Sequence, residues 1–220
     1  MEALIFDFDG TIIESEGPDF QTWQEIFTEH GAELPLAQWI GYIGTAAGTF
    51  DPYRLLAELS GRNVDREAIR AVRRQRFREL VSQQPLRPGV EALLDAAAST
   101  GVPLAIASSS TRDWVDWNLD QRDLRRHFRF VHTVNDVKQG KPDPELYLMT
   151  VAALGVRAAA TVAIEDSYNG MVAAKRAGLI CTVAPNMLTQ GIDFDEADLV
   201  VASLESVTLD QLFRLVGSSS

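Results

Sequence analysis

The chain has 220 residues, 46% of them hydrophobic, enough to bury one substantial core and a smaller second one. Its formal charge of -11 argues against a nucleic-acid partner, whose phosphates repel an acidic surface, and favours a small-molecule one. The single cysteine, Cys181, rules out an internal disulfide and a cysteine-paired zinc site, and it fits a reducing cytoplasm.

The first apolar segment, Ala3-Leu4-Ile5-Phe6, is broken by Asp7. It is too short for a signal core or a membrane span, so it reads as a strand and no membrane partner is expected. It leads into Phe6-Asp7-Phe8-Asp9-Gly10-Thr11, with two carboxylates at i and i+2 at the strand's C-terminal end, the edge where open α/β sheets bind ligands. Burying Asp7 there calls for a cation or several donors. The plainer reading is an Asp-Gly turn with a capping aspartate.

From residue 15 to residue 84 no buried-strand pattern occurs. Helical patterning covers 20–30, 52–59 and 65–81, so the stretch reads as a helical insertion. Glu16-Gly17-Pro18 and the run from Gln84 to Gly89 are loop signals at its two crossings, where hinges are expected. Arg66, Arg70, Arg73, Arg74, Arg76 and Arg78 make the last of these helices basic; it could attract an anion, although a solvated surface is the plainer reading. Phe20, Trp23, Trp39 and Tyr42 could stack on a ligand, although core packing is the commoner role.

Beyond the insertion, apolar runs at 103–107, 130–134, 161–164, 180–183 and 199–202 alternate with helical segments at 89–99, 144–154 and 168–177. Gly155 and Gly178 suit helix C-caps. This rhythm predicts βαβ units around a parallel sheet, an α/β fold. Polar groups recur where strands end. Ser108-Ser109-Ser110-Thr111 opens a helix and suits an anion, or is simply a cap. Lys141, one of three lysines with Lys138 and Lys175, lies in the proline-stiffened Gly140-Lys141-Pro142-Asp143-Pro144. Glu165-Asp166-Ser167-Tyr168-Asn169-Gly170 supplies a second acidic strand end, suited to completing a metal site. No repeat is found, and the serines from 218 to 220 read as a frayed end.

Together and in this order, these four segments resemble the four motifs of the haloacid dehalogenase superfamily, over nearly the whole chain. The resemblance implies a Rossmann-like core, residues 1–14 and 85–220, with a small helical cap, residues 15–84, as in the subfamily of β-phosphoglucomutases and phosphoglycolate and sugar phosphatases. It implies Asp7 as the nucleophile that becomes an aspartyl phosphate and Asp9 as acid and base. Asp7, the Asp9 backbone carbonyl and Asp166 would hold Mg²⁺, with Glu165 behind them. Gly10, Thr11, Ser108, Ser109 and Lys141 would bind phosphate.

Converging carboxylates need such a cation: like charges about 4 Å apart repel by roughly 4 kcal/mol at an effective dielectric near 20. Hard oxygen ligands favour Mg²⁺ over zinc, and His30, His127 and His132 lie outside the motifs.

Within this family Asp9 disfavours dehalogenation, and the absence of any lysine before Lys138 removes the Schiff-base route of phosphonatases. The segment Gly41-Tyr42-Ile43-Gly44-Thr45-Ala46-Ala47-Gly48 lacks the arginine that mutases use to grip the second phosphate, and Asp19 stands where they place a histidine. The expectation is a cytoplasmic, Mg²⁺-dependent phosphatase acting on a small phosphorylated metabolite, as a monomer or weak homo-oligomer. A phosphosugar mutase is the alternative, and a non-catalytic phosphate-binding regulator a more remote one.

Overall fold

The computed structural model describes residues 1–45 and 50–218. Ala46, Ala47 and Gly48 of the segment compared with the mutases lie outside the described residues, as do Ser219 and Ser220.

The strands are β1 (Ala3–Phe6), β2 (Leu104–Ala107), β3 (Phe128–His132), β4 (Thr161–Glu165), β5 (Ile180–Val183) and β6 (Leu199–Val200). They form one parallel sheet in the order β3-β2-β1-β4-β5-β6. Period-two alternation divides each strand between two cores. Leu4, Phe6, Leu104, Ile106, Val162 and Ile164 pack on one face, against α5 (Val90–Thr100), α6 (Arg112–Gln121) and α9 (Leu209–Ser218). Ala3, Ile5, Ala105, Ala107 and Ala163 face the other way and pack against α7 (Glu145–Leu154) and α8 (Tyr168–Arg176). Each fully buried Leu, Ile or Phe contributes about 1.5–3 kcal/mol. These contributions offset the cost of gathering carboxylates at one sheet edge.

The third core belongs to the insertion. Here α1 (Glu16–Glu29), α2 (Leu36–Ile40), α3 (Pro52–Ser60) and α4 (Arg66–Ser82) gather around Trp23, Ile26, Phe27, Trp39, Leu56 and Ile69. The fold is therefore α/β with an inserted helical cap.

Some expected boundaries move. The third strand is 128–132 rather than 130–134, because Thr133 and Asp136 cap each other and start a 3-10 turn that ends it. The last strand stops at Val200. Glu16-Gly17-Pro18 is no loop; it forms the first turn of α1, where a proline removes no helical hydrogen bond. Short α2 and terminal α9 were not anticipated. Gly155 and Gly178 do take left-handed φ, at 70° and 78°, just past α7 and α8. No described helix is long and apolar enough to cross a membrane.

Candidate active site

The order of the strands reverses about β1, so the loops leaving β1 and β4 diverge and open a crevice at their C-terminal ends. Asp7 leaves β1 there, and Glu165 and Asp166 end β4 beside it. All three are buried, with carboxylate oxygens within 4.8 Å of one another. Lys141, only 1% exposed, reaches between them from the loop before α7, with Nζ 2.5 Å from Asp7 Oδ1 and 2.6 Å from Glu165 Oε1. Tyr147 of α7 donates its hydroxyl to the same Glu165 oxygen.

Asn186, just past β5, donates from Nδ2 to Asp166 Oδ2 at 2.6 Å, and Thr189 Oγ1 donates to the Asp166 carbonyl at 2.8 Å. Asp7 Oδ2 and Asp166 Oδ1 thus remain without a protein donor among the described residues. The approach of the loops is close. A Cβ at Gly10, whose φ is +74°, would collide with the Asp166 carboxylate, and one at Gly170 with that of Glu165.

Burial pushes Asp7 up to about 7, with the Glu165 charge adding to it and Lys141 opposing it. Asp166 stands well above the carboxylate range for the same first reason, reinforced by Asp7 and Glu165. Burial would lower Lys141, but the facing carboxylates outweigh it and hold the ammonium charged. Three carboxylates against one ammonium leave an excess of two negative charges when ionised, and every available donor is a hard oxygen. A divalent cation fits such a set.

Asp9 sits apart from this cluster at the mouth of the crevice. Its Oδ1 accepts from Ser15 Oγ at 2.7 Å and from Trp114 Nε1 at 2.8 Å, while Oδ2 accepts from Ser110 Oγ at 2.6 Å. The serine segment therefore divides its work. Ser108 Oγ accepts the Ser110 amide at 3.0 Å, so its own proton is free to be donated, whereas Ser109 turns to the cap and donates to Gly44 O at 3.2 Å. In the first loop the Gly10 amide is taken by Ile13 O at 2.8 Å. Among the described residues Thr11 has a long amide contact to Phe8 O, 3.4 Å, and a buried hydroxyl with no partner.

Above Asp9 a cavity of about 940 Å³ separates core from cap. Trp23, Trp39 and Tyr42 form one wall, and Arg66, Arg70, Arg73, Arg74 and Arg78 of α4 another. The arginine-rich face thus borders the cavity instead of being only a solvated surface. Arg66 is paired with Asp51 and Arg73 with Asp19, whereas Arg70, Arg74 and Arg78 have no carboxylate partner among the described residues. The cap loop touches the core at two further points: Asn169 Nδ2 donates to Ile43 O at 2.9 Å, and a Cβ on Gly44, at φ +77°, would strike Ser167.

A model of haloacid dehalogenase-like hydrolases matches residues 1–178. The chain belongs to that family. It is 42% identical, over the full length of both chains, to YhcW of Bacillus subtilis, which carries a provisional phosphatase name. Protein CbbY of Rhodobacter capsulatus is 31% identical, over 98% of this chain and 99% of its own. A solved point mutant of CbbY from Rhodobacter sphaeroides, in complex with xylulose-(1,5)bisphosphate, superposes with a TM-score of 0.80 at 28% identity, covering 94% of this chain and 96% of that one. Family membership and relatives named as phosphatases make this chain a phosphoric monoester hydrolase.

Haloacid dehalogenase-like hydrolases generally use a divalent metal, and the acidic cluster offers a place for one. Several residues around it escaped the motif reading. Asn186 follows a strand end, so the rule that found Asp166 applies to it too. Ser110 stood inside a noted serine run. Trp114 and Arg87, which donates to Gly10 O and to Ala184 O, carry no signal of their own because their partners are distant in sequence, and Ser15 lies outside the motifs. Glu16, at the start of α1, is raised well above its usual range by burial and by the negative charges of Asp166, Asp9, Asp19 and Asp7, which marks it as facing the site.

Proposed function

We propose that the chain is a Mg²⁺-dependent phosphatase that hydrolyses a small phosphate monoester, a sugar phosphate or similar metabolite, through an aspartyl phosphate on Asp7. The observation that carries this reading is the position of Asp7: a buried carboxylate whose Oδ2 has no donor among the described residues, beside Lys141 and Asp166, with Asp9 fixed separately at the cavity mouth.

Asp7 Oδ2 attacks phosphorus while Asp9 gives a proton to the departing oxygen. Asp9 then takes a proton from the water that hydrolyses the intermediate. Lys141, the Ser108 hydroxyl and the Thr11 loop bind phosphoryl oxygens, and Ser109 serves by holding the cap loop. Asp7, Asp166 and the Asp9 carbonyl would hold Mg²⁺, which would offset the charge of the carboxylates and the phosphoryl group. Glu165 holds Lys141 from behind. Residues 15–84 act as the cap and residues 1–14 with 85–220 as the catalytic core, and the α4 arginines that border the cavity draw an anionic substrate toward an acidic protein.

The test is release of phosphate from a panel of phosphorylated sugars, nucleotides and acids with Mg²⁺, with isomerised sugar phosphate measured in parallel. Released phosphate supports the proposal; isomerisation without it makes the chain a mutase, and neither product makes it a binding protein. The raised Asp7 carboxyl adds a second prediction. Protons compete with the cation for Asp7 and Asp166, both raised by burial, so apparent Mg²⁺ affinity is expected to fall by about tenfold or more per unit of pH below about pH 7. Calorimetric titration at pH 6, 7 and 8 checks this. An affinity that does not change with pH would remove Asp7 from the ligand set.

A further inference from the structure

We propose that Trp114 is a positioning residue through which the docked cap sets the Asp9 carboxyl group. This rests on Asp9 being the acid and base of the phosphatase reading. The indole N–H reaches Asp9 Oδ1 at 2.8 Å, where the Ser15 hydroxyl also donates at 2.7 Å. Two donors use both in-plane lone pairs of that oxygen. Oδ2 is therefore the oxygen that exchanges a proton with the leaving group and later with water. Its donor among the described residues, the Ser110 hydroxyl, can rotate to accept instead, whereas an indole N–H can only donate.

The ring that aims this donor is held from the cap. Phe77 of α4 stacks on Trp114 with centroids 4.7 Å apart and planes at 19°, and Trp117 stacks beside it at 5.5 Å and 30°. The Arg78 guanidinium, one residue along α4, lies over Trp117 at 5.4 Å. Aromatic stacking of this kind favours one ring orientation severalfold. When α4 is docked, the indole is stacked against Phe77 and its N–H is fixed on Oδ1. When α4 lifts, Trp114 loses the Phe77 face. The proton-transfer group is then fully oriented only while the cap covers the cavity.

The experiment compares Trp114→Phe, which keeps a stacked ring and removes the donor, with Phe77→Leu, which removes the stack and leaves the donor. Both are assayed with Mg²⁺ on glucose 6-phosphate, an alkyl ester that needs a proton on its leaving oxygen, and on p-nitrophenyl phosphate, which does not. Trp114→Phe is expected to lower kcat on the alkyl ester by about 10- to 100-fold, a part of the 10²–10⁴ typical of general acid–base catalysis, with KM within about twofold. First-turnover release of nitrophenol should change by less than about threefold and appear as a burst, because only the later water step then needs Asp9. Phe77→Leu should show the same pattern more weakly, and the double variant should fall no further than Trp114→Phe.

Equal losses on both esters in the first turnover, an unchanged kcat, or additive losses in the double variant would overturn the proposal. Asp9→Asn separates the two levels of argument. Normal turnover in that variant, or no turnover of either ester by the unaltered protein, removes the phosphatase reading itself and this inference with it.

Discussion

Asp7→Asn is expected to abolish turnover, by on the order of 10⁴-fold or more, while leaving the fold intact. The amide is nearly isosteric with the carboxylate but is too weak a nucleophile to form the acyl phosphate, and loss of a nucleophile is among the largest single effects in enzymes. The fold should survive because the carboxylate is not held there for stability. Burial raises it to about 7, so ionised Asp7 is unfavourable in the metal-free protein, and Lys141 keeps Glu165 as a partner without it. The linkage has a definite sign. The folded state binds this proton more tightly than the unfolded state, so stability falls as pH rises from about 4 toward 7, and Asn does not titrate. Melting curves at pH 5 and 8 should therefore differ less for the variant than for the metal-free parent. Turnover within tenfold of the parent would remove Asp7 from the nucleophile's role.

Lys141→Met should damage stability and catalysis together. The ammonium is wholly buried between Asp7 and Glu165, with Asp166 close by. Removing one partner from a buried ionic cluster leaves charge uncompensated, at a cost of about 3–5 kcal/mol. In a chain of this size that corresponds to a melting point lower by about 6–20 °C. Activity is expected to drop by about 10²–10³-fold, since the same ammonium would meet the phosphoryl oxygens. Part of the stability, but not the activity, should return on acidification to pH 5, where the remaining carboxyls take up protons. A variant melting within 2 °C of the parent at pH 8 would show that Lys141 does not hold the cluster together.

The two effects differ because the same four side chains serve two purposes. Burial makes the Asp7 carboxylate costly to place there, and Lys141 offsets that cost. Three carboxylates and a lysine brought from three separate loops leave an excess of negative charge that a cation would offset. The acidic cluster is a poor device for stability and a good one for chemistry.

Much of the core was legible in the residues themselves. Apolar runs such as Ala3–Phe6 and Thr161–Glu165 are buried on both faces of a parallel sheet, so they stand out without alternating with polar residues, and the carboxylates at their ends mark the edge where ligands bind. Gly155 and Gly178 announced helix ends because few other residues adopt left-handed φ so readily. Boundaries were less visible wherever a side chain caps a turn, as Thr133 does with Asp136, or where a proline begins a helix instead of breaking a loop, as at Pro18.

The local pattern determined that this chain is an α/β protein with a helical insertion, and which residues stand at its strand ends. Only the tertiary structure decided that Trp114 donates to Asp9 across 105 residues, that Asn186 fixes Asp166, that Ser109 holds the cap while Ser110 faces Asp9, and that the α4 arginines border the cavity. The reason is physical. Periodicity and capping act within a few residues and leave their mark in sequence, whereas a hydrogen bond between distant segments depends on how helices pack, which no short stretch of sequence records.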